Sequence, residues 1–570
     1  MKIRIKKPLL FIFSSLFLAC LFAIIVLQLY KQNRQELREA QILLHENKIG
    51  EAKALFSHLE GSFWVKKNAR LGSIITAILN DREVSDFTLP KQDEVNISAY
   101  HLLFLMKKQF AVSAYDRCLE LAKIGRYYGE NAATLYYAAA LLEKGDTRRA
   151  QIYYASLPES LKKTIMGNRL KETLKLLHAG SFRIIRDRRG RIIGTIEKDH
   201  SFKFYRSEYR WLIQPLMVKE IENFYLQRNG KLPNGFRVCI DLELSQLALE
   251  SLGLNMGSIV LIKPDTGEIL VAVSDEATCK KMGPGSSPAF EEMMEPASIS
   301  KLITVTAAFR NNLDPNSEIA QVKCHNGKMY AGKHLYCASG KAKLEGLDHA
   351  LAISCNSAFA DLGIKVGWEK MLAELRRFGF DSAGDNSFPL GKIIIKAGDD
   401  RVLADLSIGL EDTLTTPVHA ALIAAVFASN GYWCFPELNY AVDGLTGLSP
   451  VRFPVIREKT NATRILEDSW LPPIRSAMNA VTDFGGTAAF MDPEGFQVLM
   501  KTGTSGKFDD GFHINYVGYG PNEKDKKNIA FCVRVTGKRS TSQVRKEGFR
   551  VNEELLLRLQ ELMAKREQLY

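Results

Sequence analysis

The spacing of apolar positions changes along this chain. From Pro8 to Tyr30 the sequence PLLFIFSSLFLACLFAIIVLQLY runs 23 residues without a charge. At 1.5 Å rise per residue a helix of that length spans about 34 Å, enough to cross a bilayer. Between 35 and 178 the apolar positions take the three-and-four spacing of amphipathic helices, with almost no proline. From 180 the period shortens. FRIIRDRRGRIIGTIE alternates and turns at Arg189-Gly190, the pattern of a hairpin. VCIDLELSQLALESL predicts a short strand and a helix, and GSIVLIKPDTGEILVAVS (257–274) predicts two strands around a Pro-Asp-Thr-Gly turn. A helix is expected near 297–310, behind Pro296, because proline suits a first helical turn. Strand patterns return at 496–504, 513–520 and 528–537, and NEELLLRLQELMAKREQ closes the chain as an amphipathic helix. Strands at both ends of a helical middle predict one α/β unit from about 236 to 570.

Two helical stretches match in register. In LLHENKIGEAKALFSHL (43–59) and LLEKGDTRRAQIYYASL (141–157), Ala52 aligns with Ala150, Phe56 with Tyr154 and Leu59 with Leu157. The offset is near three units of the roughly 34-residue tetratricopeptide period. Residues 35–178 are therefore expected as a helical domain, either of tetratricopeptide-like pairs or a plain bundle, with a surface suited to a protein partner. Residues 180–235 read as a linker or pedestal that ends near LPNG.

Length and charge narrow the options. At 570 residues the chain is long enough for several domains. Its net charge is +12, but the Lys and Arg are spread out, which reads as solvated surface and not a nucleic-acid footprint. The first seven residues, MKIRIKK, carry four positive charges. They should remain cytoplasmic, with 8–30 an uncleaved single-pass signal anchor and all that follows outside the cytoplasm. Nine cysteines then sit where disulfides can form. CHNGKMYAGKHLYC, from Cys324 to Cys337, reads as a hairpin. A Cys324–Cys337 disulfide, a zinc clip using His325 and His334, and free thiols all remain open. Cys355 and the other single cysteines read as packing residues.

Three short motifs follow one another: Ser298-x-x-Lys301, Ser354-Cys355-Asn356 and Lys501-Thr502-Gly503-Thr504. Each is weak alone; the ordered set is not. Residues three apart share a helix face, so Ser298 and Lys301 project together. A serine hydroxyl is a poor nucleophile until a base takes its proton. Lysine serves as that base only when burial or a second cation lowers its pKa, and Lys501 is the candidate cation. Ser354 and Asn356 would relay the proton and hold the substrate. Gly503 would admit an extended substrate backbone, and the N–H groups of Ser298 and Thr504 would bind an oxyanion. His349, His419 and His513 read as structural, since no Ser-His-Asp spacing accompanies them.

In these motifs the sequence resembles the penicillin-binding protein transpeptidases, whose signatures include S-x-x-K and K-T-G. SCNSAFADLG, GLEDTLTTPVHAALIAAVFASNG, GGTAA (485–489) and VGYGP are similar to further family segments. The resemblance covers about 236–570. It implies an α/β (α+β) transpeptidase or serine β-lactamase-like fold: an antiparallel sheet flanked by helices, with an all-helical subdomain. It also implies that Ser298 is acylated, that Lys301 is its base, and that Ser354, Asn356 and Lys501 complete the catalytic set. Thr502, Gly503 and Thr504 would bind substrate. Peptidoglycan stem peptides are then the substrates and β-lactams the inhibitors, with no metal or cofactor. Ala297, Ile299-Ser300 and Asn515-Tyr516 depart from the usual family residues, which puts substrate preference in question. No glycosyltransferase motif occurs in 31–235, so the resemblance is to monofunctional members. The rival readings are a β-lactam sensor or scaffold, a D,D-carboxypeptidase and a β-lactamase.

Overall fold

The structure is a computed structural model. It describes residues 7–567 apart from 112–113, 145, 179–182, 198–201, 207–208, 210–211, 213–234, 284–285, 383–389, 396, 411–412, 444–450, 453–461, 508–510, 522–527 and 539. For residues 7–17, 98–99, 111, 341–342, 440–443, 451–452, 507 and 566–567 the backbone alone is described. The chain forms two compact units, Met1–Phe182 with Asp443–Val451, and Arg183–Val442 with Arg452–Tyr570.

The first unit is helical. Its opening helix α1 (Lys7–His45) runs through the expected span and beyond it. Among the described residues no helix is long and apolar enough to cross a membrane; the side chains of 8–17, which the expected span includes, lie outside them. Ala52, Phe56 and Leu59 are buried, as are Ala150 and Leu157 at the aligned positions.

The second unit starts with the hairpin read from DRRG: β1 (Arg183–Arg186) and β2 (Ile192–Ile196). Asp187 forms the turn by accepting the N–H groups of Arg189 (3.0 Å) and Arg191 (2.8 Å), while Arg191 Nε donates back to it at 2.7 Å. β3 (Phe202–Phe204) pairs with β2, and β4 (Gly235–Val238) pairs parallel with β1. Most of the linker between β3 and β4, LPN (232–234) included, lies outside the described residues.

Asp241 then caps helix α2 (Leu242–Leu252), its carboxylate accepting the N–H groups of Glu243 and Leu244. β5 (Met256–Lys263) and β6 (Glu268–Ser274) flank the expected turn. The 3-10 turn Ala297–Ile299 runs into α3 (Ser300–Arg310). A hairpin follows, β7 (Lys323–Tyr330) and β8 (Lys333–Lys343), then α4 (Asn356–Val366), α5 (Asp400–Ile408) and α6 (Pro417–Ala428). The last strands are β9 (Leu499–Lys507), β10 (Gly511–Gly520) and β11 (Ile529–Gly537), and α7 (Thr541–Glu567) ends the chain. The main sheet has the order β9-β10-β11-β5-β6 and is antiparallel throughout.

The strands before and after the helical middle of this unit thus meet in one sheet, as the return of the strand pattern after 496 predicts. Every residue of α6 is buried and all but His419 are apolar, so the helix carries no amphipathic period. Among the described residues β9 is an edge strand, paired with β10 alone.

Candidate active site

Pro296 leads into a tight turn. Ala297 has φ 50, a left-handed conformation that costs a residue with a Cβ about 1–2 kcal/mol. The turn is held because Ala297 N–H donates to Gly409 O at 2.8 Å. Gly409 must be glycine: its φ is +75, and a Cβ there would lie 2.3 Å from Ala297 O. Beyond this clamp Ser298 is half-buried, while Ile299, Ser300 and Lys301 turn inward with no exposure.

Lys301 is the hub. Its Nζ donates to Ser354 O (2.7 Å), Ser354 Oγ (3.1 Å) and Asn356 Oδ1 (2.7 Å). The acceptors come from the turn before α4 and from the first residue of that helix; in the turn Ser354 has φ 56. Such strain at a non-glycine residue persists only where the surroundings fix it. Here Cys355 N–H donates to Ala350 O at 2.9 Å, Thr487 N–H donates to Ala352 O at 3.0 Å, and Asn356 Nδ2 donates to Tyr336 O at 2.9 Å. Burial lowers the Lys301 pKa to about 8, although the neighbouring Cys355, Cys337 and Cys324 oppose the shift.

Lys501 approaches from β9. Its Nζ donates to the same hydroxyl, Ser354 Oγ, at 3.0 Å, and to Thr502 O at 2.9 Å. It is fully buried, and burial, then Lys301, then Arg545 hold its pKa well below the ordinary lysine value. Two amines therefore share one serine hydroxyl. β9 reaches this point because position 503 has no side chain: a Cβ on Gly503 would meet Pro296 O at 2.6 Å and Ile299 Cγ1 at 3.2 Å.

Ser298, Ser354, Asn356, Thr502 and Thr504 open onto one cleft of ≈ 750 Å³. The structure thus gathers the serines, asparagine and threonines singled out in the sequence at one cavity, with Lys301 and Lys501 beneath them. Gly503 is the close-approach position that its sequence context predicts. The cleft also has members to which the motifs assign no role. Thr487, within GGTAA, receives the Thr502 hydroxyl at 2.8 Å. Arg545, on α7, donates from Nε to Thr504 Oγ1 at 3.3 Å, and Tyr516 OH donates to Arg545 O at 3.1 Å. The basic face of α7 was the available signal, but amphipathicity does not say which cavity a helix lines.

The departures from the family pattern mostly point away from the cleft. Asn515 is fully buried and its Oδ1 accepts from Arg534 Nε at 2.8 Å. Arg534 also donates to Glu292 O (2.7 Å) and Thr415 O (2.9 Å). Of these changes only Tyr516 lines the cleft. His419 and His513 are buried. His419 Nε2 donates to Phe378 O at 2.6 Å, which leaves Nδ1 to accept from the Thr415 hydroxyl at 3.0 Å.

The cysteines correct one expectation. The 324–337 hairpin forms, yet it has no Cys324–Cys337 disulfide: both thiols are free, and across the ladder Cys324 faces Ala342. His325 and His334 are exposed while both thiols are buried, so the ladder's alternation sends the imidazoles to the other face and a clip with them does not assemble. Both sulfurs turn toward Cys355 instead. Cys337 Sγ accepts the Asn356 N–H at 3.1 Å. Hydrogen bonding from Cys355, reinforced by Ser339 and that N–H, lowers the Cys337 pKa to about 4, and the Cys355 thiol is pushed up in return.

Comparison with known proteins agrees with this geometry. The penicillin binding protein transpeptidase domain family matches residues 257–557. Peptidoglycan D,D-transpeptidase PbpA of Mycolicibacterium smegmatis is 27% identical over 316 residues, covering 50% of this chain and 62% of that protein. Stage V sporulation protein D of Bacillus subtilis is 26% identical over 309 residues, covering 50% of this chain and 46% of that protein. The match thus spans less than two thirds of these relatives' length. Among solved structures, PBPA from Mycobacterium tuberculosis aligns with a TM-score of 0.52 at 19% identity, over 66% of this chain and 100% of that one. The D,D-transpeptidase domain of a peptidoglycan glycosyltransferase from Eggerthella lenta gives 0.55 at 18% identity, over 67% and 99%. Those two alignments are a likeness of fold.

Proposed function

The chain belongs to the penicillin-binding protein transpeptidase family, and from that membership we propose that it is a membrane-anchored peptidoglycan D,D-transpeptidase acting through an acyl-serine on Ser298. The observation that carries the reading is the shared Ser354 hydroxyl, bonded by both Lys301 and Lys501. Neutral Lys301 takes the Ser298 proton as Oγ attacks the penultimate carbonyl of a stem ending in D-Ala-D-Ala. The N–H groups of Ser298 and Thr504 receive the developing oxyanion. The proton passes through Ser354 Oγ to the departing D-Ala amine. An amine of a second stem then attacks the acyl-enzyme and restores the serine. Lys501, Thr502 and Thr504 hold the substrate carboxylate, and β-lactams enter by the same first step.

Anchoring is part of the proposal. What supports it is the charge-free run Pro8–Tyr30 behind a basic flank, with Leu21, Phe22, Ile24 and Ile25 exposed on α1. The catalytic unit then lies outside the cytoplasm, and the helical unit, tetratricopeptide-like in its repeat, offers a surface for a protein partner.

The test is a transfer assay with a synthetic pentapeptide ending in D-Ala-D-Ala and an amine acceptor. The full chain should release D-Ala and form the new amide, and Ser298→Ala should do neither. Release without amide formation would contradict transpeptidation in favour of a carboxypeptidase. No release at all would contradict the enzymatic reading.

A further inference from the structure

The cysteine cluster is not explained by acyl transfer. Cys324 comes from β7, Cys337 from β8 and Cys355 from the residue that precedes α4. Each is at most 1% exposed, and the three sulfurs lie within 4.8 Å of one another. Cysteines kept only as small apolar side chains have no reason to aim their sulfurs together. Cys337 and Cys355 Sγ are 3.8 Å apart. A disulfide needs about 2.05 Å. Two sulfurs bound to one tetrahedral zinc at about 2.3 Å each are separated by about 3.8 Å. That pair stands at the spacing of two ligands around one ion, and the third sulfur lies within 4.8 Å of both.

The surroundings agree. Cys337 Sγ accepts the Asn356 N–H at 3.1 Å and lies 2.9 Å from Ser339 Oγ, which is itself 3.8 Å from Cys324 Sγ. Cys324 Sγ lies 3.5 Å from Ser357 Oγ. Donors of this kind orient thiolate ligands from the outer shell. Three converging thiols with no carboxylate in the group suit a soft, thiophilic ion and not a hard one.

We propose that Cys324, Cys337 and Cys355 form a binding site for one thiophilic cation of the zinc class, which ties the β7–β8 hairpin to the turn carrying Ser354 and Asn356. On binding, all three sulfurs coordinate as thiolates, the protons still held on them pass to solvent and three sulfur–metal bonds form; no electron is transferred. The ion is a staple: it crosslinks two segments that bond the Lys301 amine and the Asn356 amide.

The test does not depend on acyl transfer. The full chain, reduced and stripped with a chelator, is titrated with Co(II) and then Zn(II). One Co(II) per chain should bind with a sulfur-to-cobalt charge-transfer absorption, and Zn(II) should displace it. X-ray absorption at the zinc edge should give sulfur neighbours at about 2.3 Å. Cys324→Ser and Cys337→Ser should each weaken binding more than about 100-fold, beyond the usual outer-shell effect, and Cys279→Ser should leave it unchanged. The sulfur shell of the wild-type protein decides the matter if the serine variants do not fold. No uptake, a first shell of nitrogen and oxygen alone, or binding unaltered in both variants would overturn the proposal. So would a Cys337–Cys355 disulfide in the isolated protein that, once reduced, takes up no metal.

Discussion

Lys301 lies at 0% exposure with three acceptors around its amine. Burial penalises the charged form and brings its pKa to about 8. A base must be neutral to act, so about a tenth of the molecules are competent at pH 7. Acylation by penicillin should therefore speed up as pH rises through about 8 and level off above it, which stopped-flow rates across pH 6–10 would check. A rate that falls with pH over that interval would remove Lys301 from the role. Gly503 gives a steric prediction. Gly503→Ala forces a Cβ against Pro296 O, and β9 must retreat from the Ser298 turn. A displacement near 1 Å typically costs about a hundredfold in rate. Acylation should drop by about that factor with far-ultraviolet circular dichroism unchanged. The three motifs were legible because each is local: a helical i,i+3 pair, a turn and a strand. Arg534 was not, since its partner Glu292 is 242 residues away; GGTAA was singled out as a segment, but neither Thr487 nor Arg545 carries a local sign of the threonine it meets.

At the scale of elements, β11 and α6 carry the core behind the cleft. Arg534 is fully buried in β11 and satisfies Asn515 Oδ1, Glu292 O and Thr415 O. Removing it leaves these buried acceptors without a donor, at a cost of about 1–3 kcal/mol. Arg534→Met should lower the unfolding free energy by that amount in urea titrations, and a loss under 1 kcal/mol would refute the role. His419, in α6, has its pKa lowered to about 4 by burial. The unfolded chain then binds a proton near pH 6.5 that the folded one refuses. Stability is complete above about 6.5 and falls as pH drops toward 4, by about 3 kcal/mol in all. His419→Gln should flatten that decline, and parallel urea midpoints for the two proteins between pH 7 and 4 would contradict it. Periodicity located the strands and the amphipathic helices well. It left the 324–337 segment open between a disulfide, a zinc clip and free thiols, and the structure has the free thiols. The third sulfur that draws them lies 18 residues beyond Cys337, and pairing in sequence cannot show convergence in space.

For the whole molecule, the residues of the cleft all fall in the unit Arg183–Val442 and Arg452–Tyr570. A chain beginning at residue 183 should then react with penicillin at the rate of the full chain; a tenfold slower reaction would mean that the helical unit completes the site. The division into a helical first part and an α/β second part was visible where the apolar period changes near 180. Sheet order was not, because β5 pairs with β11, more than 250 residues downstream, and pattern along a chain carries no record of such pairing. The most direct check on the whole account is the intact mass of the protein after exposure to benzylpenicillin. The account predicts a gain of one penicilloyl group, mapped to the peptide that contains Ser298 and absent from Ser298→Ala. An unchanged mass, or an adduct that survives that substitution, would contradict it.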